Sequence, residues 1–216
     1  MTRLVIRPYQ ASDRQAVFRI AADTAFFGEP VENFLEDRQL FCDLFYRYYT
    51  DFEPSAGFVA CADEEVVGFI VGSLDTRRQQ RRLLWLLLPG VISGILARRY
   101  RIGSMTWRYG FVLLKAAIQQ EFAHCDLYEY PAHLHINIDV RWRDQGLGRQ
   151  LLESYLNRLK SLGILGVHLH TTNLNAAAIS LYERMGFVLL SARRTGLWGD
   201  TVTRIVENRC YGLKLL

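Results

Sequence analysis

Six consecutive residues, Arg143-Asp144-Gln145-Gly146-Leu147-Gly148, have the composition of an anion site. Glycines let a backbone approach a ligand closely and bare successive amide N–H groups at a helix start, where the helix dipole adds attraction for phosphate. Just upstream, His133, His135, Asn137 and Asp139 recur with a period of two. One strand face would therefore carry four groups able to bind a polar ligand or move a proton. A further group, Asn175, Ala178, Tyr182, Gly186 and Phe187, lies one strand beyond the glycines.

The elements that must position these residues are legible around them. His133 to Val140 alternates polar and apolar residues as a strand with two different faces would. Leu147, Leu151, Leu152, Tyr155, Leu156 and Leu159 recur at three- and four-residue spacing, which predicts a helix that Gly163 ends. The order is strand, anion loop, helix. A nucleoside-triphosphate loop is excluded because no Lys followed by Ser or Thr comes after Gly148. A dinucleotide loop fits poorly, since its third glycine would have to be Leu151.

The stretch resembles the coenzyme A loop of the GCN5-related N-acetyltransferase (GNAT) family, in which Gln or Arg is followed by two residues, Gly, one residue, then Gly or Ala. Arg143, Gly146 and Gly148 match it, and Asn175 to Phe187 is similar to the family's next helix. The resemblance implies a GNAT fold: an α/β domain over residues 1–216 with a central, mixed, mostly antiparallel seven-stranded sheet flanked by helices. It implies acetyl-CoA as co-substrate and a primary amine of a small molecule or peptide as acceptor. Ile138, Asp139 and Val140 would hold the pantetheine arm, with the pyrophosphate on the amides of Arg143, Asp144, Gln145, Gly146, Leu147, Gly148 and Arg149. An amide near Ile138 would face the oxyanion. Tyr182 would be the general acid toward the departing thiolate, and Asn175 would reach the pantetheine or the sulfur.

Each role has a plainer competitor. Tyr182 shares a packing face with Ile179, Met185 and Gly186. Asn175 suits a helix N-cap, a role for which Asn173 competes. Asp139 and His135 are the candidate bases, with a water relay as the alternative, while an Asp at that place also serves as a plain strand end. His133, His135, Asn137 and His170 would face the acceptor. His133-x-His135 and His168-x-His170 raise the question of zinc, but no Cys or third carboxylate stands at a recognisable ligand spacing, so no metal is expected.

The remaining pattern gives a strand at Leu4 to Arg7, a helix at Asp13 to Ala25 capped by Ser12, and a second helix at Phe34 to Tyr49. A hairpin pairs Phe58 to Ala62 with Val66 to Ser73, and strands follow at Gly166 to His170, Phe187 to Ser191 and Thr201 to Leu213. The length of 216 residues and the 50% hydrophobic content describe a folded chain with a substantial core. Cys42, Cys61, Cys125 and Cys210 are too scattered for a disulfide framework, which suits a reducing cytoplasm. The N-terminus reads as the beginning of a strand, not as a signal peptide.

One stretch departs from the family. Between Ser73 and His133 roughly 45 residues are added, far more than an ordinary loop. Residues 76–125 read as a helical insertion, with an apolar stretch at Leu83 to Ala97 and a second helix from Ser104 to Phe122. Residues 76–120 carry eight arginines and Lys115 with no acidic residue, so the whole-chain charge of +4 masks a balance of −5 elsewhere. Three readings follow: a helical hairpin that covers the sheet or forms a homodimer interface, a cationic lid over an acidic or phosphorylated ligand, and an interfacial membrane anchor. The apolar stretch is shorter than the ~20 residues that cross a bilayer, and no nucleic-acid motif accompanies the arginines. Against acetyl transfer in a ternary complex stand two rivals. One is a non-catalytic acyl-CoA-binding module, since Tyr130 to Ile138 is similar to acetyltransferase-like domains attached to certain eukaryotic glycosidases and their bacterial relatives. The other is a peripheral membrane protein using the insertion.

Overall fold

The computed structural model describes residues 2–198, 202 and 204–216. Its elements in chain order are β1 (Leu4–Pro8), α1 (Arg14–Asp23), α2 (Arg38–Phe45), α3 (Arg47–Phe52), β2 (Phe58–Ala62), β3 (Glu65–Ser73), α4 (Thr76–Arg82), α5 (Leu88–Leu96), α6 (Ser104–Ile118), β4 (Ala132–Ile138), α7 (Leu147–Ser161), β5 (Gly166–Thr172), α8 (Ala176–Arg184), β6 (Val188–Thr195) and β7 (Val206–Lys214). The seven strands form one open sheet in the order β1-β2-β3-β4-β5-β7-β6. Every pairing is antiparallel except β4 with β5.

Burial on both faces explains why β3 reads as a nearly continuous apolar run. Phe69 and Val71 face α1, α2 and α3, whereas Val67 and Ile70 face α7 and α8. The six apolar residues of α7 named above are all buried against the second face, as their spacing requires. Gly163 follows that helix at φ +68°, the left-handed conformation that stops it.

Several boundaries differ from expectation, each for a local reason. Ser12 does not cap α1; a short 3-10 turn (Ala11–Asp13) precedes it, and Asp13 turns back to bind both Arg7 guanidinium nitrogens at 2.7 Å. The helix expected from Phe34 to Tyr49 begins after Asp37, whose carboxylate accepts from Leu40 N–H, and it breaks at Tyr46 into α2 and α3. The last strand begins at Val206; Thr201 and Thr203 of the expected range lie outside the described residues.

The stretch between β3 and β4 is helical as expected, with a π-helical turn (Leu83–Leu87) leading from α4 into α5. It packs chiefly on the layer of helices in front of the sheet, where Leu87 and Val91 join Phe41 and Tyr46 in one core. Acidic residues of that layer fasten it. The Glu36 carboxylate accepts the amides of Met105 and Thr106 and the Thr106 hydroxyl at the start of α6. Asp37 accepts from Arg101 N–H at 2.8 Å, and Tyr100 donates to Asp43 at 2.8 Å. Buried Glu53 pairs with Arg78 at 2.8 Å and takes Leu74 N–H at 2.7 Å.

One close approach fixes β4 relative to the sheet and α7. The Tyr155 hydroxyl donates to His133 O at 3.0 Å, and it passes over Gly72 to do so. A Cβ on Gly72 would lie 2.1 Å from that carbonyl and 2.2 Å from the hydroxyl. Gly72→Ala is therefore expected to lower stability by about 3 kcal/mol, read from the midpoint of urea unfolding; an unchanged midpoint would show that the strand and α7 yield freely.

Candidate active site

The parallel partnership of β4 and β5 lasts two residue pairs, Ala132 with Val167 and His133 with His168. Beyond them β4 stays with β3 as far as Gly68 opposite Ile138, while β5 stays with β7. The two strands diverge, and β4 from Leu134 to Ile138 offers an unpaired main-chain edge to whatever enters the gap. An extended ligand can bind such an edge as a further strand would.

Directly after that edge comes the glycine loop. Asp139 N–H returns to Val67 O at 2.9 Å, and a 3-10 turn (Val140–Trp142) leads to Asp144 at φ +61° and Gly146 at φ +74°. The first i→i−4 bond of α7 runs from Gln150 N–H to Gly146 O at 3.2 Å, so the amides of Leu147, Gly148 and Arg149 precede it and point outward from the helix start. Gly148 allows α7 to approach α8: a Cβ there would meet Leu181 at 3.0 Å and Ile138 at 3.4 Å. Arg143 folds back over the edge, its guanidinium reaching Ile138 O at 3.4 Å and Gly28 O at 3.5 Å.

Tyr182 is buried on α8 between the rings of Phe187 (5.9 Å) and Tyr211 (6.4 Å). Burial pushes its phenol well above the ordinary value, so it is protonated at neutral pH. Asn175 occupies the N-cap position of α8, but its side chain makes no capping bond. The capping expectation is thus corrected. Asn173, its competitor, instead ties β7 in place by accepting from Glu207 N–H at 2.8 Å and donating to Ile205 O at 3.0 Å.

On the polar face of β4 the structure separates Asp139 from the histidines. Asp139 receives the Arg141 guanidinium at 2.9 and 3.1 Å and Arg19 at 3.4 Å. The side-chain hydrogen bond from Arg141, followed by its backbone N–H, its charge and the hydrogen bond from Arg19, lowers the carboxyl to about 2 against the opposing effect of burial. It is a poor proton acceptor at neutral pH. Asn137 accepts from the buried Tyr46 hydroxyl at 3.3 Å and donates to Thr24 at 2.7 Å. His135 and His133 share one hydroxyl, that of Tyr49, at 3.1 and 3.2 Å, and Gln79 donates to the same oxygen at 2.8 Å. Burial and then neighbouring imidazoles lower His135 and His170 to about 4 and hold His133 far below its ordinary value.

Tyr46, Tyr49, Gln79 and Thr24 were not singled out from sequence. The signal available was the unusual Phe45-Tyr46-Arg47-Tyr48-Tyr49 cluster opposite a strand rich in polar side chains that would need partners. Among the described residues, the histidine pairs meet without any Cys or carboxylate completing them at ligand spacing. The parallel pair His133 with His168 puts alternate histidines of both strands side by side, with ring centroids 4.7 Å (His133 and His135), 5.0 Å (His133 and His168) and 5.4 Å (His168 and His170) apart.

Two cavities flank the divergence. One of about 430 Å³ lies at the C-terminal end of β4, lined by Arg19, Asp23, Thr24, Gly28, Glu29, Asp139 and Arg141. The other, about 530 Å³, lies at the histidine end and is bordered by Gln79, Phe122, Cys125, His133, His168 and His170.

A family profile described as the acetyltransferase (GNAT) family matches residues 110–187, the stretch containing β4, the loop, α7 and α8. A mycothiol acetyltransferase of Nocardiopsis dassonvillei is 39% identical over 54 residues, which are 25% of this chain and 16% of that protein. A [ribosomal protein bS18]-alanine N-acetyltransferase of Escherichia coli strain K12 is 42% identical over 59 residues, 27% of this chain and 40% of that protein. The chain thus spans well under half the length of these curated relatives. The crystal structure of SsHAT superposes with a TM-score of 0.74 at 27% identity, over 99% of this chain and 98% of that one. The profile falls on the divergent strands and the glycine loop, and the match to SsHAT extends over 99% of the chain, so the chain is similar to the GNAT acetyltransferase family in its core motifs and in its fold.

Proposed function

We propose that the chain transfers an acetyl group from acetyl-CoA to a primary amine by direct attack in a ternary complex. The observation that carries this reading is the continuity of the open β4 edge with the amides at the start of α7. That edge suits a pantetheine arm made of amides, and the amides suit its pyrophosphate. Ile138, Asp139 and Val140 line the arm, and residues 143–149 hold the phosphates. Gly146→Glu puts charge and a side chain at a left-handed position of this loop, whereas Arg149→Glu adds charge without backbone strain. Both are expected to weaken acetyl-CoA binding by about tenfold or more in titration calorimetry, with the fold verified by circular dichroism. Unchanged affinity in both would move the phosphates elsewhere.

The acceptor amine enters through the cavity at the C-terminal end of β4, where Glu29 lies beside the paired Asp23 and Asp139. It must lose a proton before attack. The nitrogen then bonds to the thioester carbonyl carbon, the oxyanion is met by an amide of the β4 edge, and the C–S bond breaks as Tyr182 gives its proton to the thiolate, the second proton shed by the nitrogen restoring the phenol through water. Asp139, pinned by two arginines, positions the end of β4. The proton of the amine passes to water linked to Asn137 and Tyr46, because His135, lowered to about 4, is a poor acceptor at neutral pH. Asn175 approaches the sulfur from the start of α8.

With an alanine-terminated peptide, glucosamine and spermidine as probe acceptors, acetyl-CoA is expected to release free thiol with at least one. Tyr182→Phe should then lower kcat by about 100-fold while leaving acetyl-CoA affinity intact. A variant that turns over normally would reduce Tyr182 to packing. Tight cofactor binding without thiol release would favour a non-catalytic acyl-CoA-binding module.

A second reading rests on a separate observation, the outer surface of residues 76–120. Trp85, Leu86 and Leu96 are exposed there, and on α6 Trp107, Phe111, Leu114 and Ile118 form an exposed stripe. Nine cations and no acid accompany them. Such a surface would repel a second copy of itself, and it complements an anionic lipid bilayer, with tryptophans at headgroup depth. Among the described residues no helix is long and apolar enough to cross a membrane. The chain is expected to sediment with phosphatidylglycerol-containing vesicles and not with pure phosphatidylcholine, to be released by salt, and to lose binding in Trp107→Glu/Phe111→Glu. Indifference to lipid charge would sink this reading.

A further inference from the structure

We propose that His133, His168 and His170 form a three-histidine site for a divalent transition metal, zinc by its ligand chemistry, at the inner end of the 530 Å³ cavity. One ring nitrogen of each histidine lies within 4.8 Å of those of the other two. A tetrahedral zinc with bonds of about 2.0–2.1 Å holds nitrogens about 3.4 Å apart, a contraction within reach of ring adjustments. The strands supply the framework. His133 and His168 face each other across the last paired register of β4 and β5, and His170 is two residues further along β5.

The hydrogen bonds leave each ring with one lone pair to give. A carbonyl oxygen accepts only, so Nδ1 of His168 must carry the proton donated to Tyr130 O at 2.9 Å, and Nε2 of His170 the one donated to Ala123 O at 3.0 Å. The Tyr49 hydroxyl takes Gln79 N–H and has one proton to offer. Two arrangements satisfy every partner, and the one that frees His133 Nε2 for a metal has His133 Nδ1–H donating to the hydroxyl and the hydroxyl donating to His135. All three ligands are then neutral imidazoles whose other nitrogen is anchored to an oxygen, the outer shell that orients metal-binding histidines.

The surroundings favour a soft, small cation over a hard one. The residues bordering the cavity contribute imidazole, thiol and amide groups and no carboxylate, which disfavours calcium and magnesium. Cys125, beside His168, brings a thiol to the edge of the trio. His133 and His168 are buried while His170 is exposed, so an ion enters from the cavity and retains an open position toward it, as zinc does where a water or ligand completes its coordination.

The test uses the full chain stripped with a chelator, without acetyl-CoA, so its outcome is independent of acetyl transfer. Titration with zinc chloride followed by calorimetry should give one equivalent, and cobalt chloride should give the visible absorption of a tetrahedral nitrogen site. His170→Ala, at the exposed member, should weaken binding by about 100-fold with an unchanged circular dichroism spectrum, and His168→Asn provides a second variant at the buried one. Failure of the folded wild type to bind either metal overturns the proposal, as does binding that survives both substitutions.

Discussion

The divergence of β4 from β5 is the constraint on which the rest of this structure depends. Each strand keeps a full antiparallel partner on its outer side, so the sheet survives the loss of pairing between them. What is given up is a row of main-chain hydrogen bonds, and buried amides and carbonyls left unpaired are costly. The gap is therefore a place where an extended amide-bearing ligand restores bonds the protein has left open. Tyr155, donating to His133 O just where pairing ends, and Gly72, which makes room for it, hold the last paired residues in register.

The same divergence creates a polar face in an otherwise apolar interior. His133, His135 and Asn137 point toward the helices, where unpaired polar groups would be penalised. The break between α2 and α3 answers this by turning Tyr46 and Tyr49 inward, one hydroxyl to Asn137 and the other to both histidines. Gln79, from the helix that follows β3, closes the network. The helical stretch between β3 and β4 is thus connected to the site at its root, while its far surface carries aromatic and cationic side chains outward. Its cohesion comes from the other side of the charge balance: Glu36, Asp37, Asp43 and Glu53 lie in the acidic remainder of the chain and bind the insertion's helix start, backbone and side chains.

Local patterns carried most of the fold. The helix from Leu147 to Ser161 was legible because its burial depends on residues three and four apart and its start and stop on glycines with positive φ. The hairpin of β2 and β3, with Asp63 at φ +52° in its turn, was legible for similar reasons. Where sequence reasoning failed, it failed at element ends. Ser12 gave up the expected cap to a 3-10 turn whose Asp13 binds Arg7, Asn175 stood at a cap without bonding, and the Phe34 to Tyr49 pattern broke where Tyr46 turned toward Asn137.

The sequence by itself determined the order strand, anion loop, helix, the family which that order resembles, and the segregation of positive charge into one inserted stretch, because each is written in contiguous residues. Only the tertiary structure decided the chemistry along β4. It clamped Asp139 between Arg141 and Arg19, far from the basicity its position suggested, and it set His133 beside His168 across 34 residues of intervening chain. Strand register decides such meetings, and register is settled by the packing of the whole sheet, because a shift of one residue sends every side chain to the opposite face.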